Sequence, residues 1–167
     1  MPISFDIKLK EKDLYRFQIK QAYKGMQGWL ALVIAAVAFG LCIYSYGNER
    51  FGTKYTIMYL VFGVIFLFYV PFNLRMQTKR QFLMSAAFKG IMHYEITDEG
   101  VTLTAGGEQA TMTWDQVYMI TADKSSIYVY TSKIYAYIIP RAQVSNQYAE
   151  IMSSFRSHLA ESRIVEK

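Results

Sequence analysis

The stretch Gly28–Tyr46 reads GWLALVIAAVAFGLCIYSY and carries no Asp, Glu, Lys or Arg. A helix needs about 20 apolar residues to cross the ~30 Å hydrocarbon core of a bilayer, and this stretch has that length. A second charge-free stretch, Tyr55–Phe72 (YTIMYLVFGVIFLFYVPF), follows after a short connection. It closes on Pro71, whose missing N–H suits a helix end better than a helix middle. Trp29, Tyr44, Tyr46, Phe51, Tyr55, Tyr69 and Phe72 mark the ends of the two stretches, the headgroup level that amphipathic rings prefer. A pair of buried core helices is the competing reading. Two uncharged stretches this long in so short a chain weigh against it.

Outward from these spans the charge distribution sets a direction. Lys8, Lys10, Lys12, Arg16, Lys20 and Lys24 precede the first span, and Arg75, Lys79, Arg80 and Lys89 follow the second. The connection 47–54 has only Arg50 and Lys54. Basic residues stay on the cytoplasmic side, so both termini are expected in the cytoplasm of a cell with an inner membrane, with the connection outside. The first span is too deep in the chain for a signal peptide, and no Ala-x-Ala-like site follows it. Cys42 reads as a small apolar residue within a span, and a lone cysteine excludes an internal disulfide.

Small residues recur four apart in the first span, Ala31 with Ala35 and Ala36 with Gly40. Such spacing lets helix backbones approach closely in lipid, so this stripe is expected to pack on the second span around Gly63. Neither span holds an ionisable side chain of the kind that lines ion relays and substrate pathways.

The flanking segments read differently. Ile3–Leu9 alternates apolar and polar, the period of a half-buried strand. Asp13 is expected to N-cap a helix over 14–24. After the second span, Arg75–Lys89 is helical in composition, with Phe82, Leu83, Ala86 and Ala87 on one side. It reads as a juxtamembrane extension, a lipid-surface binder being the alternative. From Ile91 the texture changes to short alternating runs: 92–97, 101–105, 110–114, 118–122, 127–131 and 134–139. They are separated by Asp98-Glu-Gly100, Gly106-Gly107, Asp123-Lys-Ser-Ser126 and Ser132-Lys133, which are turn chemistry. Such short loops imply antiparallel neighbours. Pro140 ends the last run, and a helix over 145–160 presents Tyr148, Ile151, Met152, Phe155 and Leu159 as one apolar stripe. The expected organisation is a strand and helix (1–27), a first span (28–46), an outer connection (47–54), a second span (55–72), a juxtamembrane helix (73–90) and an α+β domain (91–162).

Two spans followed by a meander with YEITDEGV (Tyr94–Val101), Trp114 and its following strand, IYVYTS (Ile127–Ser132) and YIIPRAQV (Tyr137–Val144) resemble the YcxB-like family of bacterial membrane proteins. The resemblance implies a C-terminal domain similar to bacterial pleckstrin-homology-like folds: a curved seven-stranded antiparallel sheet or barrel capped by a C-terminal helix. Six runs are legible, and Ile3–Leu9 is the candidate for the seventh.

Little in the chain points to catalysis. His93 reads as a strand-start residue and His158 as a solvated helix residue; neither has metal-ligand spacing to another His, Cys or carboxylate. Gly106-Gly107 is a turn and not a phosphate loop. Glu95, Asp98, Glu99 and Glu108 sit near strand ends, where solvated loops use them. No catalytic, cofactor or metal residue is expected. The loops TDEG and AGGEQ lack the Lys and Arg that would pair with phosphates, which argues against phosphoinositide-type binding. Trp114 and Arg141 are the candidate partner contacts, with a core anchor and a helix-start surface group as their plainer readings.

The net charge of +5 divides unevenly. Residues 1–90 hold twelve basic and four acidic side chains, a balance of +8, and the remainder six and nine, a balance of −3. The basic character belongs to the membrane flanks, and the acidic domain lacks the footprint of a nucleic-acid binder. Three function classes follow. The first is a non-enzymatic membrane protein whose domain is an interaction or assembly module, with membrane lipid and a second copy or another membrane protein as partners. The second is a small transporter or immunity component protecting the membrane against peptides. The third is a lipid-modifying enzyme.

Overall fold

The computed structural model describes residues 2–46, 48 and 51–166, and leaves aside the side chains of Gln27, Ala86 and Ala87. Gly47, Glu49 and Arg50 of the expected connection, and the expected apolar side chains of Ala86 and Ala87, therefore lie outside what is described. The chain forms two compact units. One holds the residues up to Leu14 together with those from Arg80 on; the other is Tyr15–Lys79.

The helical unit holds most of α1 (Glu11–Lys24), all of α2 (Met26–Ser45) and α3 (Thr53–Met84) as far as Lys79. Asp13 is not an N-cap. It stands in the first turn of α1, and its Oδ2 accepts a hydrogen bond from the Lys10 N–H at 3.3 Å. That is the reach-back half of a capping box, in which the third helical residue satisfies the donor in front of the helix. At the α1–α2 joint, a Cβ on Gly28 would lie 2.6 Å from the Ala22 carbonyl oxygen, so the turn closes only around a glycine.

The α3 helix does not stop at Pro71. It continues to Met84, so the expected second span and much of the expected juxtamembrane helix are one element, followed by the single turn α4 (Ala86–Lys89). Proline inside a helix leaves one carbonyl without its donor, which apolar membrane-type helices tolerate through neighbouring partners. The carbonyl so freed is that of Leu67, four residues earlier; the Pro71 carbonyl accepts the Tyr15 hydroxyl at 3.3 Å. Below it the buried Thr78 hydroxyl lies 2.5 Å from Gln18 Oε1 and 2.7 Å from the Leu74 carbonyl, so α1 rests on this part of α3.

Both α2 and α3 are long and apolar enough to cross a membrane, and most of their large side chains are exposed. They pack through small groups. Phe39 lies on Gly63, where a Cβ would meet its ring at 3.0 Å. The Ser45 and Thr56 hydroxyls are 2.9 Å apart, and Cys42 Sγ reaches the Thr56 carbonyl at 3.5 Å. Ala35 is buried and Ala31 half-buried on this side. Ala36 is exposed, and a Cβ on Gly40 would meet nothing within 4 Å, which corrects the expectation that this second row packs on α3. Adjacent residues point about 100° apart on a helix, so the rows through Ala35 and Ala36 do not both face one partner.

The other unit contains two four-stranded sheets. The first has the order β1-β2-β3-β4, from β1 (Ile3–Ile7), β2 (Met92–Ile96), β3 (Gly100–Ala105) and β4 (Glu108–Thr113), all antiparallel. The N-terminal alternating segment does join the domain's sheet, Ile3 pairing with Ile96 and Ile7 with Met92. Ile3, Phe5 and Ile7 face inward with Met92, Tyr94 and Ile96, and Phe5 stacks on Tyr94 at 5.5 Å. On the outer face Asp6 pairs with His93 Nδ1 at 2.6 Å. Gly106 and Gly107 close the β3–β4 hairpin with φ of 62° and 86°, the two positive values that a two-residue turn matching the strand twist requires.

The second sheet has the order β7-β6-β5-β8, from β5 (Met119–Ala122), β6 (Ser126–Tyr130), β7 (Ala136–Pro140) and β8 (Ile164–Glu166). The β5–β6 turn is held by Asp123, whose Oδ1 accepts from the Ser125 and Ser126 backbone N–H groups at 2.6 and 2.9 Å. Helix α5 (Tyr148–His158) buries Ile151, Met152 and Phe155. The chain then returns as β8, beyond the expected domain end at 162, and pairs parallel to β5. The expectation of antiparallel neighbours throughout misses this strand, because a helical crossover brings the chain back in the same direction. Arg156 of α5 pairs with Glu166 of β8.

Tyr94 meets Tyr137 edge-on at 6.5 Å between the two sheets, and burial pushes the Tyr94 hydroxyl above the ordinary tyrosine range. Gln143, in the 3-10 turn after β7, receives the Lys8 N–H at 2.9 Å and donates to the Lys8 carbonyl at 2.9 Å. A side-chain amide here takes the place of a paired strand and holds the end of the N-terminal segment to the far side of the domain.

Candidate functional site

Trp114 opens a 3-10 turn (Trp114–Gln116) directly after β4, not the end of a strand as its position in the run 110–114 predicts. Thr113 and Gln116 cap that turn reciprocally, the Thr113 N–H donating to Gln116 Oε1 at 3.2 Å. This fixes the indole over the β2–β3 connection. Its Nε1–H points at the Thr97 and Asp98 carbonyls, 3.2 and 3.0 Å away. The same connection needs Gly100: its φ is +156°, and a Cβ there would stand 2.1 Å from the Met112 carbonyl oxygen.

The ring is held from the other side by α5. Phe155 meets it edge-on at 6.0 Å, and His158 stacks on it at 4.6 Å with 8° between the planes. His158 is therefore half-buried against Trp114, which corrects its reading as a solvated helix residue. Histidine at the end of an amphipathic helix looks polar in sequence, and only the fold supplies the ring it covers. Its Nδ1 lies 2.8 Å from the Ser154 carbonyl, which can only accept, so Nδ1 carries a proton. Its Nε2 faces Asp98 Oδ1 at 3.4 Å.

The grouping of Ser157, His158 and Asp98 has the residue types of a hydrolytic triad but not its arrangement. The Ser157 hydroxyl donates to the Ser154 carbonyl at 2.8 Å and sits on the same ring nitrogen as that carbonyl. What the arrangement does chemically is fasten the TDEG turn to the C-terminal helix through one indole. Such aromatic contacts contribute about 1 kcal/mol each beyond the area they bury.

Arg141 begins the 3-10 turn Arg141–Gln143, its N–H donating to the Ser125 carbonyl at 3.0 Å. Its guanidinium lies over the Tyr148 ring, 4.0 Å from the centroid, a cation–π contact that ties the β7 exit to the start of α5. The structure does not bring Trp114 and Arg141 into one cluster: each makes its own set of contacts. Among the described residues no group of three or more His, Cys, Asp or Glu is placed to hold a metal ion.

These observations define a protein with two helices long and apolar enough to cross a membrane and an α+β domain of antiparallel sheet closed by a C-terminal helix. Residues 96–156, from the end of β2 into α5, match the family model described as YcxB-like protein. No curated protein and no solved structure matches the chain. The matched segment includes the TDEG turn, Trp114 and Phe155, so the indole fastening lies almost wholly within it.

Proposed function

We propose that this chain is a non-enzymatic, multi-pass protein of a bacterial inner membrane whose cytoplasmic domain is an interaction and assembly module. The observation that carries this reading is the open edge of the first sheet. Strand β4 pairs only with β3, and its residues are exposed except Met112. Its sequence, EQATMT, has neither the lysine nor the proline with which edge strands protect themselves from pairing. Such an edge takes up an added strand through its free backbone groups.

The topology of the reading is a hairpin of two spans with both termini in the cytoplasm. Strand β1 precedes the hairpin and pairs with β2, which follows it, as two spans require if both strands lie on one side. The chain order, four strands, then three, then helix α5, supports a pleckstrin-homology-like module, to which β8 is an addition at the edge of the second sheet. In this reading the occupant of the β4 edge is a second copy or another membrane protein. Ala110→Lys with Thr111→Lys places charge on the edge. Crosslinking in native membrane is expected to capture the wild-type chain with a partner and the double variant largely alone. A wild-type chain that comes out alone and monomeric refutes the reading.

A further inference from the structure

The second sheet carries a feature that an assembly edge does not use. At the β6–β7 turn Ser132 Oγ accepts the Ile134 and Tyr135 N–H groups at 3.4 and 3.1 Å, and Thr131 N–H donates to the Tyr135 carbonyl at 3.0 Å. The turn is thus tied internally, yet it holds Ile134 57% and Tyr135 68% exposed. Tyr118, 46% exposed, lies at the same end of the sheet, its N–H bonded to the Tyr130 carbonyl at 2.8 Å. Arg163 Nη1 reaches the Val117 carbonyl at 3.3 Å, so a cation belongs to this end too, and Lys133 stands beside Ile134 in the turn. The opposite end of β6, at the Asp123–Ser126 turn, is polar.

We propose that this end of the domain, Tyr118, Lys133, Ile134, Tyr135 and Arg163, seats in the headgroup layer of a bilayer containing anionic phospholipid. Two tyrosines and an isoleucine flanked by Lys and Arg are the composition of an interfacial contact, the rings and the aliphatic chain entering the acyl boundary and the cations meeting phosphate. A turn tied by its own hydrogen bonds loses little freedom on docking. Cations placed beside the apolar group complement the negative surface of an anionic bilayer, and that complementarity is the ground for choosing lipid as the occupant. The inference rests on the membrane reading of α2 and α3, and its test keeps the two apart.

The full chain with Cys42→Ala is reconstituted into nanodiscs of phosphatidylcholine and phosphatidylglycerol that carry a spin-labelled lipid. A fluorophore is attached in turn through Ile134→Cys, Lys124→Cys and Phe68→Cys, all at exposed positions. Lipid quenching at 134 is expected to exceed that at 124 by about twofold or more, with iodide quenching in the reverse order. Equal access of iodide to 134 and 124 overturns the proposal. Shielding of 134 from both lipid and iodide also overturns it, because protein then covers the turn. Phe68 reports the spans alone: lipid quenching there without quenching at 134 removes the docking and leaves the hairpin standing. Its absence removes both.

Discussion

The two units of this chain bury opposite kinds of side chain. In the sheet unit the interior is Ile7, Ile96, Val101, Ile120, Ile127, Ile139, Ile151 and Phe155, and most polar residues face out, Thr121 and Ser126 being buried. Along α2 and α3 the buried positions among the described residues are Gly28, Ala35, Ala38, Ser45, Gly63 and Thr78, small or hydroxylic, while most of the leucines, phenylalanines and valines face out and Phe39 lies on Gly63. Water drives the first arrangement by expelling apolar surface. The second relies on close backbone approach and hydroxyl bridges, the means by which helices associate in lipid, where no such force acts between them.

The comparison predicts unequal costs for similar substitutions. Phe155→Ala is expected to destabilise the domain by about 4 kcal/mol, the usual cost of emptying a packed aromatic site. Phe62→Ala, on the exposed face of α3, is expected to cost much less in denaturant unfolding of the same reconstituted protein. Equal losses break the contrast. Gly100→Ala forces a Cβ onto the Met112 carbonyl and is expected to cost about 3 kcal/mol. It is read from the near-ultraviolet dichroism of the Trp114 cluster as well as from the melting temperature, and an unchanged melt contradicts the close approach.

Smaller effects sharpen the contrast. Thr121 Oγ1 is buried in β5 without a hydrogen-bond partner among the described residues. Thr121→Val is therefore expected to raise the domain's stability by about 1 kcal/mol in a denaturant titration, since it removes a desolvated hydroxyl and keeps the shape. The converse holds in the hairpin. Ser45→Ala deletes the bridge to Thr56, and a loss of about 0.6 kcal/mol is expected in SDS-driven unfolding, the scale of polar contacts between membrane helices. A gain there would show that the hydroxyls of the hairpin obey the same rule as Thr121.

Much of the architecture is legible in the residues because it follows from period and charge. The β-strands announce themselves by alternation, the Gly106-Gly107 turn by its need for positive φ, and the two long helices by the absence of charge over a span's length. Elements that depend on a distant partner are less legible. Strand β8 is three residues long next to a charged turn, so its alternation is too short to see, and only β5 makes it a strand. The Ala35 and Ala36 rows are equivalent until Phe39 settles on Gly63. Pro71 marks a helix end by local rules, yet α3 runs through it to Met84. At the candidate site Trp114 is conspicuous, but the stacking of His158 on it joins residues far apart that carry no shared periodicity. Sequence pattern reports which face is apolar, not what covers it.

The pairing of β1 with β2 also bears on how the protein is made. The strand Ile3–Ile7 leaves the ribosome before the two long helices and does not meet β2 until they have been synthesised. Its final hold, the two hydrogen bonds between Lys8 and Gln143, waits longer still. Assembly of the first sheet therefore waits for both helices, and a chain that stalls within α3 carries an apolar strand without its β2 partner.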